Sequence, residues 1–424
     1  MTTLLERRNV ASVVGSRSAA VVRCPKILNS LLSTYVALLP FQIPVNHEMS
    51  FAPADIFLFL ILVLAPGQLK YRKAVWTIWH LTLLLVFAIA SFVTALSVGS
   101  LSSYVWLNKD VGLLFLILAY AAITSAAAEW DQVRRLLRVF TLSIVVQNQV
   151  ALVSFLWAYS HGVDTLFTMY GGRRLAGMLL DPNAYGGLLA LALAICEGAS
   201  WGRAPLLRRV LLLYCRLNLA LGLLFTFSRS AWISLFVPLL LLCAFRRTKA
   251  IQLALAGLIA APCLLLFMGT HLFHFVENMA ARPERGVSRL DLIWDAWAQF
   301  AQHPFLGGGL GSFLAMEGTY VHNTAVWFLA DFGIVGLAAL LGFLGWFLIA
   351  SWSAYRHAPV DQKPVVLALM MGHALMLGLS MGIEAFYQRH WWLVLALIAS
   401  SLAIAGRQAR MRIRHCSMPT GFVK

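Results

Sequence analysis

"VHNTAVWFLADFGIVGLAALLGFLGWFLIA" (residues 321–350) decides the fold class of this chain. As a helix, a stretch of this length and apolar character crosses a hydrocarbon core of about 30 Å. Comparable runs recur along all 424 residues, of which 60% are hydrophobic and 12% charged, with a mean hydropathy of +0.79. Soluble domains carry about 25% charged residues, so this composition excludes an ordinary soluble protein.

The apolar runs predict an all-α polytopic membrane protein with about 12 transmembrane helices. The predicted spans are 28–44, 51–67, 75–97, 111–128, 139–159, 184–199, 210–227, 231–245, 250–270, 323–350, 364–382 and 391–406.

The domain organisation follows from these spans. We expect a cytoplasmic N-terminal tail (1–27), one integral membrane domain (28–406) and a cytoplasmic C-terminal tail (407–424). The net charge of +16 could suggest a nucleic-acid partner, but the Lys and Arg residues are scattered between spans. They concentrate in alternate loops, which indicates that both termini and those loops are cytoplasmic. The long segment 271–322 then lies on the opposite, outer side of the membrane.

No cofactor is expected. The six cysteines lie in predicted spans or cytoplasmic segments, so no disulfide framework is indicated. The sequence contains neither a metal-ligand spacing such as HExxH nor a phosphate-binding GxxxxGK[ST] loop. We therefore predict a protein that works without metal or ATP.

The segment between the spans that end near 270 and begin near 323 is about 50 residues long, which favours a functional role. From Ser288 to Ala301, apolar residues recur at helical spacing and predict an amphipathic helix on or over the membrane domain. Pro304 and a run of glycines then end this helix.

Arginines cluster on the predicted outer side, which the positive-inside rule would leave poor in Lys and Arg. They are Arg173, Arg174, Arg229, Arg282, Arg285, Arg289 and Arg389. A guanidinium group binds phosphate oxygens in a bidentate manner and stays charged, so this set is suited to a diphosphate. The alternative is that these side chains extend to lipid headgroups or pair with acidic residues, among them Asp181, Glu284 and Glu384.

His322 is the candidate general base, because histidine titrates near neutral pH and this one precedes a span. The alternative is an ordinary polar residue at the membrane boundary, with Asn323 beside it. Other histidines compete for the role, namely His271, His274, His303 and His390.

Three acidic residues of the sequence also need an interpretation. Asp181, before Pro182, is typical of a helix cap. Glu384 and Asp331 lie within or beside spans, where carboxylates are usually functional, although Asp331 has the alternative of a local pair within its helix.

Four stretches in order, "RRLAGMLLDPNAYGGLLAL", "TFSRSAW", "SRLDLIWDAWAQFAQHPFLGGGLGSF" and "VHNTAVWFLADFGIVGL", resemble the O-antigen ligase/polymerase superfamily, most closely its O-antigen ligase branch. The resemblance implies an inverting, metal-independent membrane glycosyltransferase with a GT-C-like fold. It would work at the periplasmic face of the bacterial inner membrane. The implied donor is a glycan on undecaprenyl diphosphate, and the implied acceptor is lipid A-core oligosaccharide.

The resemblance also assigns roles to residues. His322 corresponds to the family's catalytic histidine, as base or as a group that positions the acceptor. Arg229, Arg289 and Arg174 correspond to its diphosphate-binding arginines. A second set of candidates comprises Arg173, Arg282, Arg285, Arg389, Asn323 and Asp181.

Three other functions remain open at the level of sequence. They are an O-antigen polymerase, a protein O-oligosaccharyltransferase, and a non-enzymatic exporter of lipid-linked glycan. An exporter would be expected to carry charges at mid-span positions, whereas the arginines here gather on one face.

Overall fold

The computed structural model describes residues 26–44, 50–64, 66–69, 73–98, 102, 104–202, 204–267 and 289–416. The helices, in chain order, are α1 Lys26–Leu38, α2 Pro53–Leu64, α3 Ile78–Val98, α4 Gly112–Ala126 (preceded by a π-helix, Tyr104–Val111), α5 Trp130–His161, α6 Pro182–Gly198, α7 Arg209–Thr226, α8 Arg229–Ser234, α9 Phe236–Phe267, α10 Arg289–Gln302, α11 Ser312–Glu317, α12 Thr324–His357, α13 Lys363–Ser380 and α14 Arg389–Cys416.

Each predicted span overlaps a helix, although the span 28–44 extends six residues beyond the end of α1. The chain is a multi-pass helical membrane protein. Within the described residues, eight helices are long and apolar enough to cross a membrane. The others are short, as α1 and α2 are, or merged: α9 is kinked at Arg246, between two predicted spans. The figure of about 12 crossings and the GT-C-like fold therefore remain predictions.

Two short antiparallel strand pairs depart from the all-helical expectation. Strand β1 (Ile43–Pro44) pairs with β2 (Ser50–Phe51), and β3 (Thr168–Met169) pairs with β4 (Arg174–Leu175). The first pair lies in the connection between α1 and α2, and the second lies in the connection between α5 and α6. Strand β4 begins at Arg174, one of the predicted site residues.

Helices α13 and α14 form the centre of the membrane domain. Their apolar windows are 83% and 72% buried, against 39% for α3 and α7. Helix α6 is almost entirely buried as well, and it is rich in Ala, Gly and Leu. Small residues permit such close packing: a Cβ at Gly198 would lie 2.5 Å from the Cα of Ala368 in α13.

Helix α12 is broken at Gly333, where φ is 65° and ψ is −163°. The break frees backbone groups, which would be costly in a membrane unless they found partners. The partners lie in residues 303–311, called here the glycine loop. Ile334 donates its N–H to the carbonyl of Pro304 at 2.9 Å, and Gly309 donates to the carbonyl of Asp331 at 3.0 Å.

The buried carboxylate of Asp331 fixes the end of the glycine loop. It accepts hydrogen bonds from the backbone N–H groups of Gly311 (2.8 Å) and Phe313 (3.1 Å) and from the Ser312 hydroxyl (3.1 Å). It also accepts the indole N–H of Trp327 at 2.8 Å, one turn earlier in α12. The local pair with Trp327 considered from sequence is thus present, but the other three bonds join α12 to the last residue of the glycine loop and the first two residues of α11.

The amphipathic helix is confirmed as α10, within one residue of its predicted bounds. The side that packs on the protein consists of Leu292, Ala296 and Gln299. The large apolar residues face outward instead: Leu290 and Trp294 are each 67% exposed, and Trp297 is 53% exposed. An outward apolar face of this kind is typical of a helix that lies at a membrane interface.

Candidate active site

Several predicted site residues meet at the short connection that follows α13, residues 381–384, called here the 381–384 turn. Arg289, the first residue of α10, donates a hydrogen bond to the carbonyl of Gly382 at 3.3 Å. The side-chain amide of Asn323 donates to the carbonyl of Met381 at 3.2 Å. Helix α10 and the start of α12 are therefore held against the same few backbone atoms.

The helix that begins at Arg229 also packs against this turn. Ser230, the neighbour of Arg229, packs against Gly382 so closely that a Cβ on Gly382 would lie 2.6 Å from the Ser230 Cβ. Ser228 caps α8, accepting a hydrogen bond from Ala231 N–H at 3.3 Å, so Arg229 starts the helix. Its side chain is exposed. Arg229 and Arg289 thus belong to one region of the surface.

Arg174 stabilises the turn that carries Arg229. Its Nε donates to the carbonyl of Thr226 at 2.9 Å, and its guanidinium also reaches the side-chain oxygen of Asn183 at 3.2 Å. Arg174 is half-buried, and the adjacent Arg173 is exposed. Arg174 therefore lies beside the turn that carries Arg229, and the N–H groups of its guanidinium hold Thr226 and Asn183 in place.

Two of the predicted residues are helix caps. Asp181 caps α6 by accepting from the N–H groups of Asn183 (2.9 Å) and Ala184 (3.2 Å), so the cap expected from sequence is confirmed. Asn323 caps α12 in the same way, accepting from Ala325 (3.0 Å) and Val326 (3.1 Å). Because backbone N–H groups already occupy these side-chain oxygens, the role of Asp181 and Asn323 is to fix the start of a helix and so to position the residues beside them.

His322 lies directly before the Asn323 cap, with φ at 53° in the left-handed region. Leu180 and Phe227 also have positive φ, and they precede the caps Asp181 and Ser228 in the same manner. Non-glycine residues seldom adopt this conformation, and it is concentrated at functional sites. Three connections with the same strained geometry therefore carry the predicted site.

His322 lines a cavity of ≈ 360 Å³, together with two other predicted residues, Asp181 and Arg389. Arg389 is not available as an isolated cation, because it forms a two-point ion pair with Asp55 at 3.0 and 2.6 Å. Sequence reasoning had named Asp181, Glu284 and Glu384 as acidic partners for the arginines, so Asp55 was missed.

Lys109 and Glu384 form a second ion pair in the wall of this cavity. The Lys109 ammonium also lies 4.3 Å from the ring centre of Trp327 and 4.7 Å from that of Tyr387. Sequence reasoning singled out Glu384 but missed Lys109. The available signal was that Lys109 is a lysine on the predicted outer side, where the other basic residues are arginines.

The remaining candidates do not join the site in the described residues. Arg282, Arg285, His271, His274 and Glu284 lie outside the part of the chain that the structure describes. His303 is exposed on the glycine loop, and His390 is buried in α14 at 2% exposure. Of the three candidate histidines that the structure describes, His322 is the one that lines the cavity.

Comparison with known protein families gives one match. Residues 216–341 match a family model described as O-antigen ligase, from α7 to the first half of α12. The matched segment contains Arg229, Arg289 and His322, whereas Arg173, Arg174, Asp181 and Arg389 lie outside it. The match covers less than half of the chain and confirms the resemblance to the O-antigen ligase superfamily. No curated protein matches the chain.

Proposed function

We propose that this chain, which carries the O-antigen ligase segment at residues 216–341, is a glycosyltransferase that completes lipopolysaccharide. It transfers O-antigen polysaccharide en bloc from undecaprenyl diphosphate to lipid A-core oligosaccharide. The reaction takes place at the periplasmic face of the inner membrane, and both termini are cytoplasmic. The observation that carries the proposal is the convergence of Arg229, Arg289 and the His322–Asn323 pair on the 381–384 turn.

The transfer exchanges one bond to the anomeric carbon for another. The acceptor hydroxyl attacks this carbon, the bond from the carbon to the diphosphate oxygen breaks, and undecaprenyl diphosphate leaves. The hydroxyl proton goes to His322, and the anomeric configuration inverts. Both substrates are lipid-linked, which explains a site at a membrane boundary.

The arginines act by electrostatics. Negative charge grows on the diphosphate as it departs, and fixed cations stabilise that charge without reorganising. Arg289 is held by its bond to Gly382, and Arg229 is placed by the Ser228 cap and by the turn that Arg174 stabilises. Because the diphosphate is already a good leaving group, neither ATP nor a metal ion is needed in this mechanism.

His322 combines orientation with basicity. Its neighbour Asn323 caps α12 and donates a hydrogen bond to the carbonyl of Met381, so the backbone is fixed immediately after the residue that carries the imidazole. Precise orientation of a hydroxyl and of the base that accepts its proton accounts for a large part of the rate enhancement in such reactions.

Purified protein incubated with lipid-linked glycan and lipid A-core, in EDTA and without ATP, tests the proposal. Glycan attached to lipid A-core is the expected product. Growth of the lipid-linked chain alone would identify a polymerase, and transfer to a serine-containing peptide would identify a protein O-oligosaccharyltransferase. Movement of the glycan lipid across proteoliposomes with no new glycosidic bond would identify an exporter.

A further inference from the structure

The cavity beside His322 has a composition that the diphosphate does not explain. Its volume of ≈ 360 Å³ is within the range of about 300–1,000 Å³ that is common for ligand sites. Twelve of its sixteen lining residues have side chains with hydrogen-bonding groups, among them Gln42, Gln388 and His322.

The charges in this wall are balanced in pairs. Lys109 is paired with Glu384, and Arg389 with Asp55, so neither cation faces the cavity without a carboxylate beside it. Asp181 adds a third carboxylate. A diphosphate placed here would meet more negative than positive charge, so electrostatics favour an uncharged ligand.

Two amide side chains in the wall have hydrogen-bonding groups available for a ligand. Gln42 and Gln388 form hydrogen bonds through their backbone N–H groups, to Met178 (3.0 Å) and Ala385 (3.0 Å). Their side-chain amides have no hydrogen-bond partner among the described residues. An amide offers donors and an acceptor together, which matches the hydroxyl groups of a sugar.

The position of His322 distinguishes the two substrates. The cavity wall contains His322 and none of Arg174, Arg229 and Arg289. In an inverting displacement, the attacking hydroxyl and the departing diphosphate lie on opposite sides of the anomeric carbon. The base belongs on the side of the attacking hydroxyl, so the cavity is on the acceptor's side.

We propose that this cavity binds an uncharged sugar of the acceptor, with Gln42 and Gln388 bonding its hydroxyls and His322 facing the one that reacts. This inference rests on the proposed function and deepens it. It assigns the arginines at the 381–384 turn to the donor and the amide-lined cavity to the acceptor. The turn itself separates the two, since Gly382 bonds Arg289 while Ile383 and Glu384 line the cavity.

Steady-state kinetics of Gln388→Leu test this division. Leucine keeps the size of the side chain and removes its amide, so one or two neutral hydrogen bonds to the sugar are lost. The Michaelis constant for lipid A-core should rise about 2- to 10-fold, and that for the lipid-linked donor should stay unchanged. The inhibition constant of a neutral, delipidated core oligosaccharide should rise by the same factor. The control is Gln362→Leu, because the side-chain amide of Gln362 bonds only Asp361.

Gln42→Leu provides an independent second variant, and size-exclusion profiles identify any variant that does not fold. A rise in the donor constant alone would place the donor's sugar in the cavity and overturn the proposal. Unchanged constants in both folded variants would overturn it equally. If the wild-type protein transfers no glycan, the proposed function itself fails, and that result is separate from a failure confined to the variants.

Discussion

Substitution of Gly333 by alanine tests whether the broken helix α12 organises the site. At φ 65° and ψ −163°, Gly333 has a backbone conformation that is essentially restricted to glycine. A Cβ there would lie 2.5 Å from the carbonyl carbon of Phe305 and 2.7 Å from the nitrogen of Gly307. Both are backbone atoms of the glycine loop, so neither can move aside by a change of rotamer.

The expected loss combines two terms. The strained backbone costs about 1–3 kcal/mol, and the steric overlap costs about 1–3 kcal/mol. We expect Gly333→Ala to lower the free energy of unfolding by about 2–6 kcal/mol. The glycine loop follows the helix that carries Arg289 and precedes His322, so a displaced loop should also lower the transfer rate.

Gly345→Ala is the matched control, because Gly345 lies in the same helix and a Cβ there would meet nothing within 4 Å. This change should be neutral or stabilise the helix by up to about 1 kcal/mol. Unfolding by SDS in mixed micelles, followed by circular dichroism, measures both variants against wild type. If Gly333→Ala unfolds at the same SDS fraction as Gly345→Ala, the bonds between the broken helix and the glycine loop do not contribute to the stability of the protein.

Three further predictions concern the site and its orientation. His322→Ala and His322→Gln should both reduce the transfer rate by about 10²–10⁴-fold while donor binding persists. Substantial activity of the glutamine variant would show that His322 positions the acceptor hydroxyl and does not take its proton. An active alanine variant would remove His322 from the mechanism. Arg229→Lys and Arg289→Lys should each lower the transfer rate about 10- to 100-fold, because the two-point hydrogen bond of a guanidinium group to phosphate is lost. The control Arg356→Lys, at the far end of α12, should leave the rate unchanged. Full activity of both the Arg229 and the Arg289 variant would mean that these arginines contact only lipid headgroups. A cysteine introduced at the exposed Gln302 should react with an impermeant thiol reagent in cells whose inner membrane is intact, and labelling only after that membrane is opened would reverse the predicted topology.

The sequence by itself determined the features that depend on local chemistry. Hydrophobic runs placed helices at every predicted span, because length and apolarity alone govern entry into a membrane. The Asp181 cap and the bounds of α10 followed from short-range rules for helix ends and helical periodicity. The histidine and arginine candidates came from chemistry at span ends and from the family resemblance, which the match at residues 216–341 supports.

Only the tertiary structure decided which charges neutralise one another. Lys109 and Glu384 are 275 residues apart in the chain, and Asp55 and Arg389 are 334 apart. No periodicity in sequence encodes such pairs, because helix packing brings the partners together. The same holds for the surface of α10: periodicity identified its apolar stripe, but the packing of α10 against α12 decided that the stripe faces outward. The cavity beside His322 likewise exists only because distant parts of the chain meet there: α1 and α2, the π-helix and the start of α4, the cap of α6, the connection before α12, and the segment from the 381–384 turn to the start of α14.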